Sequence, residues 1–108
     1  MDDREFQKAA DACLARVAKW LEGLDPDDAD YSTSDGSVTI EFPDGMKFIL
    51  SRQSATNQIW LAAAAHGYHY DYDSASDVWR DDKDHHELYA RIAELVTEQV
   101  GHPVDFDA

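Results

Sequence analysis

Hydrophobic residues recur along this chain with two different periods, and the change of period divides it into three stretches. In the first, Phe6, Ala10, Cys13, Val17, Trp20, Leu21 and Leu24 fall on one side of a 3.6-residue wheel, with Leu14 at the margin; this is the stripe of an amphipathic helix. Asp2 or Asp3 is placed to cap its start, and Gly23 followed by Pro26 supplies a stop. The period then falls to two. Short runs at Asp30 to Ser34, Val38 to Phe42 and Met46 to Ser51 are separated by Asp35-Gly36 and Asp44-Gly45, pairs that accept the positive φ a tight hairpin needs. Gln58 to Ala62 and Gly67 to Tyr72 continue the series, and a short strand is predicted around Val78 to Arg80. From His85 to Val100 the helical period returns through Leu88, Ile92, Leu95 and Val96, with Asp82 or Asp84 as the expected cap and Gly101 and Pro103 as the stop.

Helix, five or six antiparallel strands, then helix predicts an α+β fold. Each element has one apolar side to hide, so the N- and C-terminal helices are expected on one face of the sheet in a two-layer α-β sandwich, with the other face toward water. The 108 residues suit a single domain over 1–108, with no repeat or linker inside it. The acidic start Met1-Asp2-Asp3-Arg4-Glu5 is unlike a signal or transit peptide, and no apolar run approaches the roughly 18 residues of a membrane span. A cytoplasmic protein is expected. Its one cysteine, Cys13, rules out an internal disulfide and any multi-thiolate metal site, so a metal here must be held by oxygen or imidazole.

Charge narrows the partners. The chain carries 23 Asp plus Glu against 9 Lys plus Arg, a formal charge of -14. Such a surface repels phosphate backbones and anionic lipid, so neither nucleic acid nor membrane is expected, whereas a cation or a basic protein is favoured. The excess sits in the outer thirds, with -5 over residues 1–30 and -8 over 71–108. Glu22, Asp25, Asp27, Asp28 and Asp30 form a series from the end of the first helix into the first strand. Alternate residues of an extended segment lie roughly 6 to 7 Å apart, where two carboxylates in water repel by about 0.6 to 0.7 kcal/mol. A bound cation relieves that repulsion. Hard oxygen ligands suit Fe, Mn, Mg or Ca, bound weakly at an open array; the alternative is an ordinary solvated acidic turn. The series is no EF-hand, because Asp30 stands where that loop requires Gly.

A second acidic group comprises Asp71, Asp73, Asp77, Asp81, Asp82, Asp84 and Glu87. The five histidines lack HExxH spacing, and neighbours such as His85 and His86 diverge by about 100 degrees on a helix, so ordinary surface roles are expected of them. There is no GxSxG, Walker loop or GxGxxG. Trp60 is the exception to a plain pattern. If Ile59 and Leu61 face the helices, Trp60 faces solvent, behind the polar run Ser51 to Gln58, which is the composition of a partner-binding hot spot. The alternative places the indole over a sheet edge or under a loop.

The order of residues resembles the frataxin family in its bacterial CyaY-type branch. The resemblance is carried by Glu5-Phe6 with Ala10-Asp11, Gly36 before Val38-Thr39-Ile40-Glu41-Phe42, Asp44-Gly45, Lys47-Phe48-Ile49-Leu50, Gly67-Tyr68-His69-Tyr70 and Trp79. Its most specific piece is Arg52-Gln53 leading into Gln58-Ile59-Trp60-Leu61-Ala62. The resemblance implies a frataxin-like sandwich that binds iron, Fe2+ or Fe3+, weakly at its surface and serves iron-sulfur cluster assembly. Its implied partners are the cysteine desulfurase and the scaffold protein. Carried onto this chain, the ridge candidates are Asp11, Glu22, Asp25, Asp27, Asp28 and Asp30, and the sheet candidates are Arg52, Gln53, Asn57 and Trp60. Where family members often keep acids late in the first helix this chain has Ala18 and Lys19, and Ser51 replaces the usual Asn, so weight shifts to Asp25 to Asp30. Three functions follow as expectations. The first is a non-enzymatic iron binder, monomeric or assembling with iron, that docks on and regulates the desulfurase complex. The second is an acidic interaction module for which iron is incidental. The third, an enzyme oxidising Fe(II), needs a protected redox centre for which the sequence offers no cluster.

Overall fold

A computed structural model describes residues 2–106. The first helix, α1, spans Asp3–Glu22; the Asp2 side chain caps it by accepting the Glu5 backbone N–H at 2.8 Å. Six strands follow: β1 (Asp30–Ser34), β2 (Ser37–Glu41), β3 (Lys47–Gln53), β4 (Gln58–Ala63), β5 (His66–Asp73) and β6 (Val78–Asp81). Each pairs antiparallel with the next, so the sheet order is the chain order. Gly36 at φ +79 and Gly45 at φ +91 make the first two turns, as the Asp-Gly pairs predict. Helix α2, Leu88–Val100, closes at Gly101, whose φ of 84 is the left-handed stop common after helices.

The apolar stripe of α1 (Phe6, Ala10, Cys13, Leu14, Val17, Trp20 and Leu21) is buried. It meets Val38 and Ile40 of β2, Phe48 and Leu50 of β3, and Ile59, Leu61 and Ala63 of β4 in one core that Leu88, Ile92 and Val96 of α2 complete. The rings of Phe6 and Trp79 meet edge-on, with centroids 6.1 Å apart, joining the first turn of α1 to the last strand. The opposite sheet face is uncovered, and its alternate residues are mostly polar, with Ile49, Trp60, Ala62 and Val78 as its apolar side chains. No helix of the described residues is long and apolar enough to cross a membrane.

One boundary departs from expectation. The second helix starts at Leu88, not His85, and its cap is Glu87, which accepts the N–H groups of Tyr89 and Ala90; neither Asp82 nor Asp84 caps it. Asp81 is the cause. Its Oδ1 accepts from the N–H of Lys83 and Asp84, which folds the following residues into a turn; His85 then sits at φ 63, and Arg80 bridges to Glu87. The 3.6-residue period carries no sign of such a side-chain-built turn.

Candidate metal ridge and partner surface

The end of α1 and the start of β1 are joined by a seven-residue loop that turns on Asp25. Its backbone carbonyl accepts from Asp28 and Ala29 at 2.9 and 3.2 Å, and its Oδ1 accepts from the Asp27 N–H at 2.9 Å. Ala29, 5% exposed, anchors the loop in the core, which turns the acids outward. Glu22 accepts from the Tyr31 hydroxyl at 3.3 Å, and Asp30 Oδ1 accepts the Tyr31 N–H at 2.8 Å. Loss of hydration and then the Glu22 carboxylate push the Tyr31 phenol above its ordinary range. Glu22, Asp25, Asp27, Asp28 and Asp30 therefore share one end of the molecule. Their oxygens do not converge into a ready-made chelate: among the described residues, the one group of three donors within 4.8 Å lies elsewhere.

Two residues join this end that the sequence did not single out for it. His102 Nε2 donates to Asp28 Oδ2 at 2.8 Å across 74 residues of chain. This contact, and the Asp28 charge, hold the imidazole above its ordinary pKa. Asp44 accepts from Gln99 at 2.7 Å and, with Asp27 and Asp28, lines a hollow of about 180 Å³. Both arrive through tertiary packing of the segment after α2 and the β2–β3 turn, and no local spacing marks them.

Asp11 is not part of this group. It lies eleven residues before Glu22 on α1, about 16 Å along the axis, and it forms an ion pair with Arg52. Arg52 shares the helix-facing side of β3 with Phe48 and Leu50, and its second amino group lies 3.6 Å from Asp35. So Arg52 is a strut between α1 and the β1–β2 turn. It does not belong to the open sheet surface with Trp60.

On that surface, Trp60 is half-buried and stacks on His69 with ring centroids 4.4 Å apart. Its Nε1 donates to Gln58 at 3.0 Å, and Gln58 Nε2 donates in turn to Asp71 and Asp82 at 3.1 and 3.2 Å. The indole is thus pinned by one ring stack and one hydrogen bond. Gln53 donates to Ser51, directly across from Trp60. Asn57, at φ 53 in the β3–β4 turn, has an enclosed Oδ1 with no hydrogen-bond donor among the described residues. Ile49 is 42% exposed, the one large hydrophobic residue so exposed among them, beside Ala62 in the adjacent strand. Sequence alternation could have found Ile49: it is out of phase with Phe48 and Leu50.

The family model described as Frataxin-like domain matches residues 1–102. A protein of Dechloromonas aromatica named Iron-sulfur cluster assembly protein CyaY is 41% identical over 105 residues, covering 96% of this chain and 97% of that one. The protein of the same name from Pseudomonas aeruginosa is 36% identical over 106 residues, at 98% and 97% coverage. Among solved structures, frataxin from Psychromonas ingrahamii matches with a TM-score of 0.89 and 31% identity over 100% of both chains. Trimeric frataxin from the yeast Saccharomyces cerevisiae, complexed with ferrous, matches with a TM-score of 0.75 and 26% identity over 86% of each chain. An acidic loop joining a helix to an edge strand, a bare sheet face carrying a pinned tryptophan and a family match over 1–102 agree with one another, and on these grounds the chain belongs to the frataxin family.

Proposed function

We propose that this protein binds iron reversibly at the Glu22 to Asp30 end and supports iron-sulfur cluster assembly by docking on the cysteine desulfurase complex and its scaffold. The observation that carries the reading is the grouping of Glu22, Asp25, Asp27, Asp28 and Asp30 at one edge of the fold. Iron is cargo here, held by hard oxygens in a solvated array, so Fe2+ and Fe3+ come and go and excess Mg2+ or Ca2+ competes. The same negative field steers the protein toward a basic patch on the desulfurase. The protein works in the cytoplasm as a monomer that iron can assemble further, and it catalyses no reaction of its own. Support comes from relatives named for iron-sulfur cluster assembly and a frataxin complexed with ferrous. Replacing Asp25, Asp27, Asp28 and Asp30 together by Asn should abolish iron titration and weaken desulfurase binding; unchanged behaviour in both assays sinks the proposal.

One observation favours a second reading, in which iron is incidental to a protein-interaction module. Asp25, Asp28 and Asp30 each spend an oxygen on an internal hydrogen bond, and the five acids form no convergent set. On that reading, desulfurase binding is salt-sensitive but indifferent to iron removal, and Trp60→Arg abolishes docking with or without metal.

A further inference from the structure

The turn between β6 and α2 brings together three donors that neither the ridge nor the sheet surface uses. One carboxylate oxygen each from Asp81 and Asp84 and one ring nitrogen of His86 lie within 4.8 Å of one another. Asp81 is only 4% exposed, the one charged residue buried among the described residues. Its Oδ1 accepts the two backbone N–H groups that build the turn, at 2.8 and 3.1 Å. Its Oδ2 takes no hydrogen bond, and Asp81 forms no ion pair, with any described residue. The Arg91 guanidinium, whose field reaches Asp84, is instead engaged over the Tyr68 ring, 5.5 Å from its centroid. The second Asp81 oxygen therefore remains available to an ion, and a cation held between the Asp81 and Asp84 carboxylates offsets their mutual repulsion.

His86 is prepared for the same ion. Its Nε2 is held by the hydroxyl of the fully buried Tyr70 at 2.8 Å, and its Nδ1 meets Asp84. A ligating histidine characteristically has its second nitrogen held by such a partner, which fixes the ring and its tautomer.

We propose that Asp81, Asp84 and His86 form a binding site for one divalent first-row transition ion, separate from the acidic ridge. The imidazole favours Zn2+ or Co2+ over Mg2+ and Ca2+, and three protein ligands leave the remaining positions to water. β6 and β1 are opposite edges of the sheet, five strand spacings or about 24 Å apart, so the two sites fill independently. An ion here ties the end of β6 to the start of α2 through Asp81 and His86. The signal was hidden in the sequence because Asp81, Asp84 and His86 fit no helical or metal-motif spacing and converge only around a side-chain-built turn.

The test is a Zn2+ titration by calorimetry in a large excess of Mg2+, repeated with Co2+ by visible absorption. The proteins are the wild type, Asp84→Asn, His86→Gln, His102→Gln and the fourfold Asn variant of Asp25, Asp27, Asp28 and Asp30. The expected result is one Zn2+ per chain that survives Mg2+, weakened at least about tenfold in Asp84→Asn and His86→Gln and unchanged in the other two. The His86 ring signals in a 15N NMR spectrum should move on Zn2+ addition, a readout that a misfolded variant cannot mimic. Displacement by Mg2+, unweakened binding in His86→Gln, still His86 ring signals, or loss in His102→Gln or the ridge variant instead, overturns the assignment.

Discussion

Arg52 sits one residue from Gln53 and on the other side of the sheet. Its side chain is 15% exposed and reaches both Asp11 and Asp35, so truncation removes the tie between α1 and the β1–β2 turn and opens the gap under Gly36, where the guanidinium packs. Exposed ion pairs are worth little, but a mostly covered arginine serving two carboxylates is worth more. Arg52→Ala should lower stability by about 1–2 kcal/mol in urea unfolding, and Asp11→Asn by less, since Asp35 remains. His102 gives a pH dependence. Its folded pKa is raised by Asp28, so the pairing stabilises the fold fully below the unfolded histidine value, 6.5, and is lost as pH rises through the higher folded value. The melting temperature of wild type should exceed that of His102→Gln most at low pH within this window, and the gap should close at alkaline pH; a gap independent of pH contradicts the pairing. Cys13, buried and pushed up to about 12 by loss of hydration, should resist thiol reagents at pH 8 until the protein unfolds.

At the scale of elements, periodicity made the helices and strands legible because burial imposes it directly: all seven buried residues of α1 follow from a 3.6-residue count. What escaped was built by side chains. The start of α2 was misplaced because Asp81 folds a turn that a hydrophobic pattern cannot express. The segment after α2 was equally silent. There Thr97 and Val104 exchange hydrogen bonds at 3.2 and 2.9 Å, Trp20 donates to the Asp105 carbonyl at 2.9 Å, and Phe106 stacks on Tyr89 with centroids 4.5 Å apart. Residues 102–106, after a helix stop, read as a loose end, yet they close the groove between α1 and α2. Phe106→Ala should cost about 1–2 kcal/mol, less than a fully buried Phe because the ring is half-covered. A red-shifted Trp20 emission should accompany it.

For the whole molecule, the ridge was partly legible. Five of its six proposed acids are contiguous enough in sequence to stay together in space, whereas Asp11 was placed only by likeness and is neutralised by Arg52. His102 reaches the ridge across 74 residues of chain and Asp44 comes to it from the β2–β3 turn, and no local spacing marks either. With a formal charge of -14, docking on a basic partner should be an association-rate effect. Raising salt from 50 to 300 mM should slow complex formation about tenfold or more while leaving dissociation nearly constant, as stopped-flow mixing would show.

The strand meander pairs only neighbours, yet the layer above it is made from the two ends of the chain: Trp20 finds its acceptor 85 residues later, at Asp105. On the ribosome, the sheet can therefore begin to assemble hairpin by hairpin, while the oily side of α1 stays incompletely sheltered until α2 and the segment through Phe106 have left the exit tunnel. The nascent chain is at its most aggregation-prone between the emergence of β6 and that of α2, and a stall in that interval is the event this architecture tolerates least.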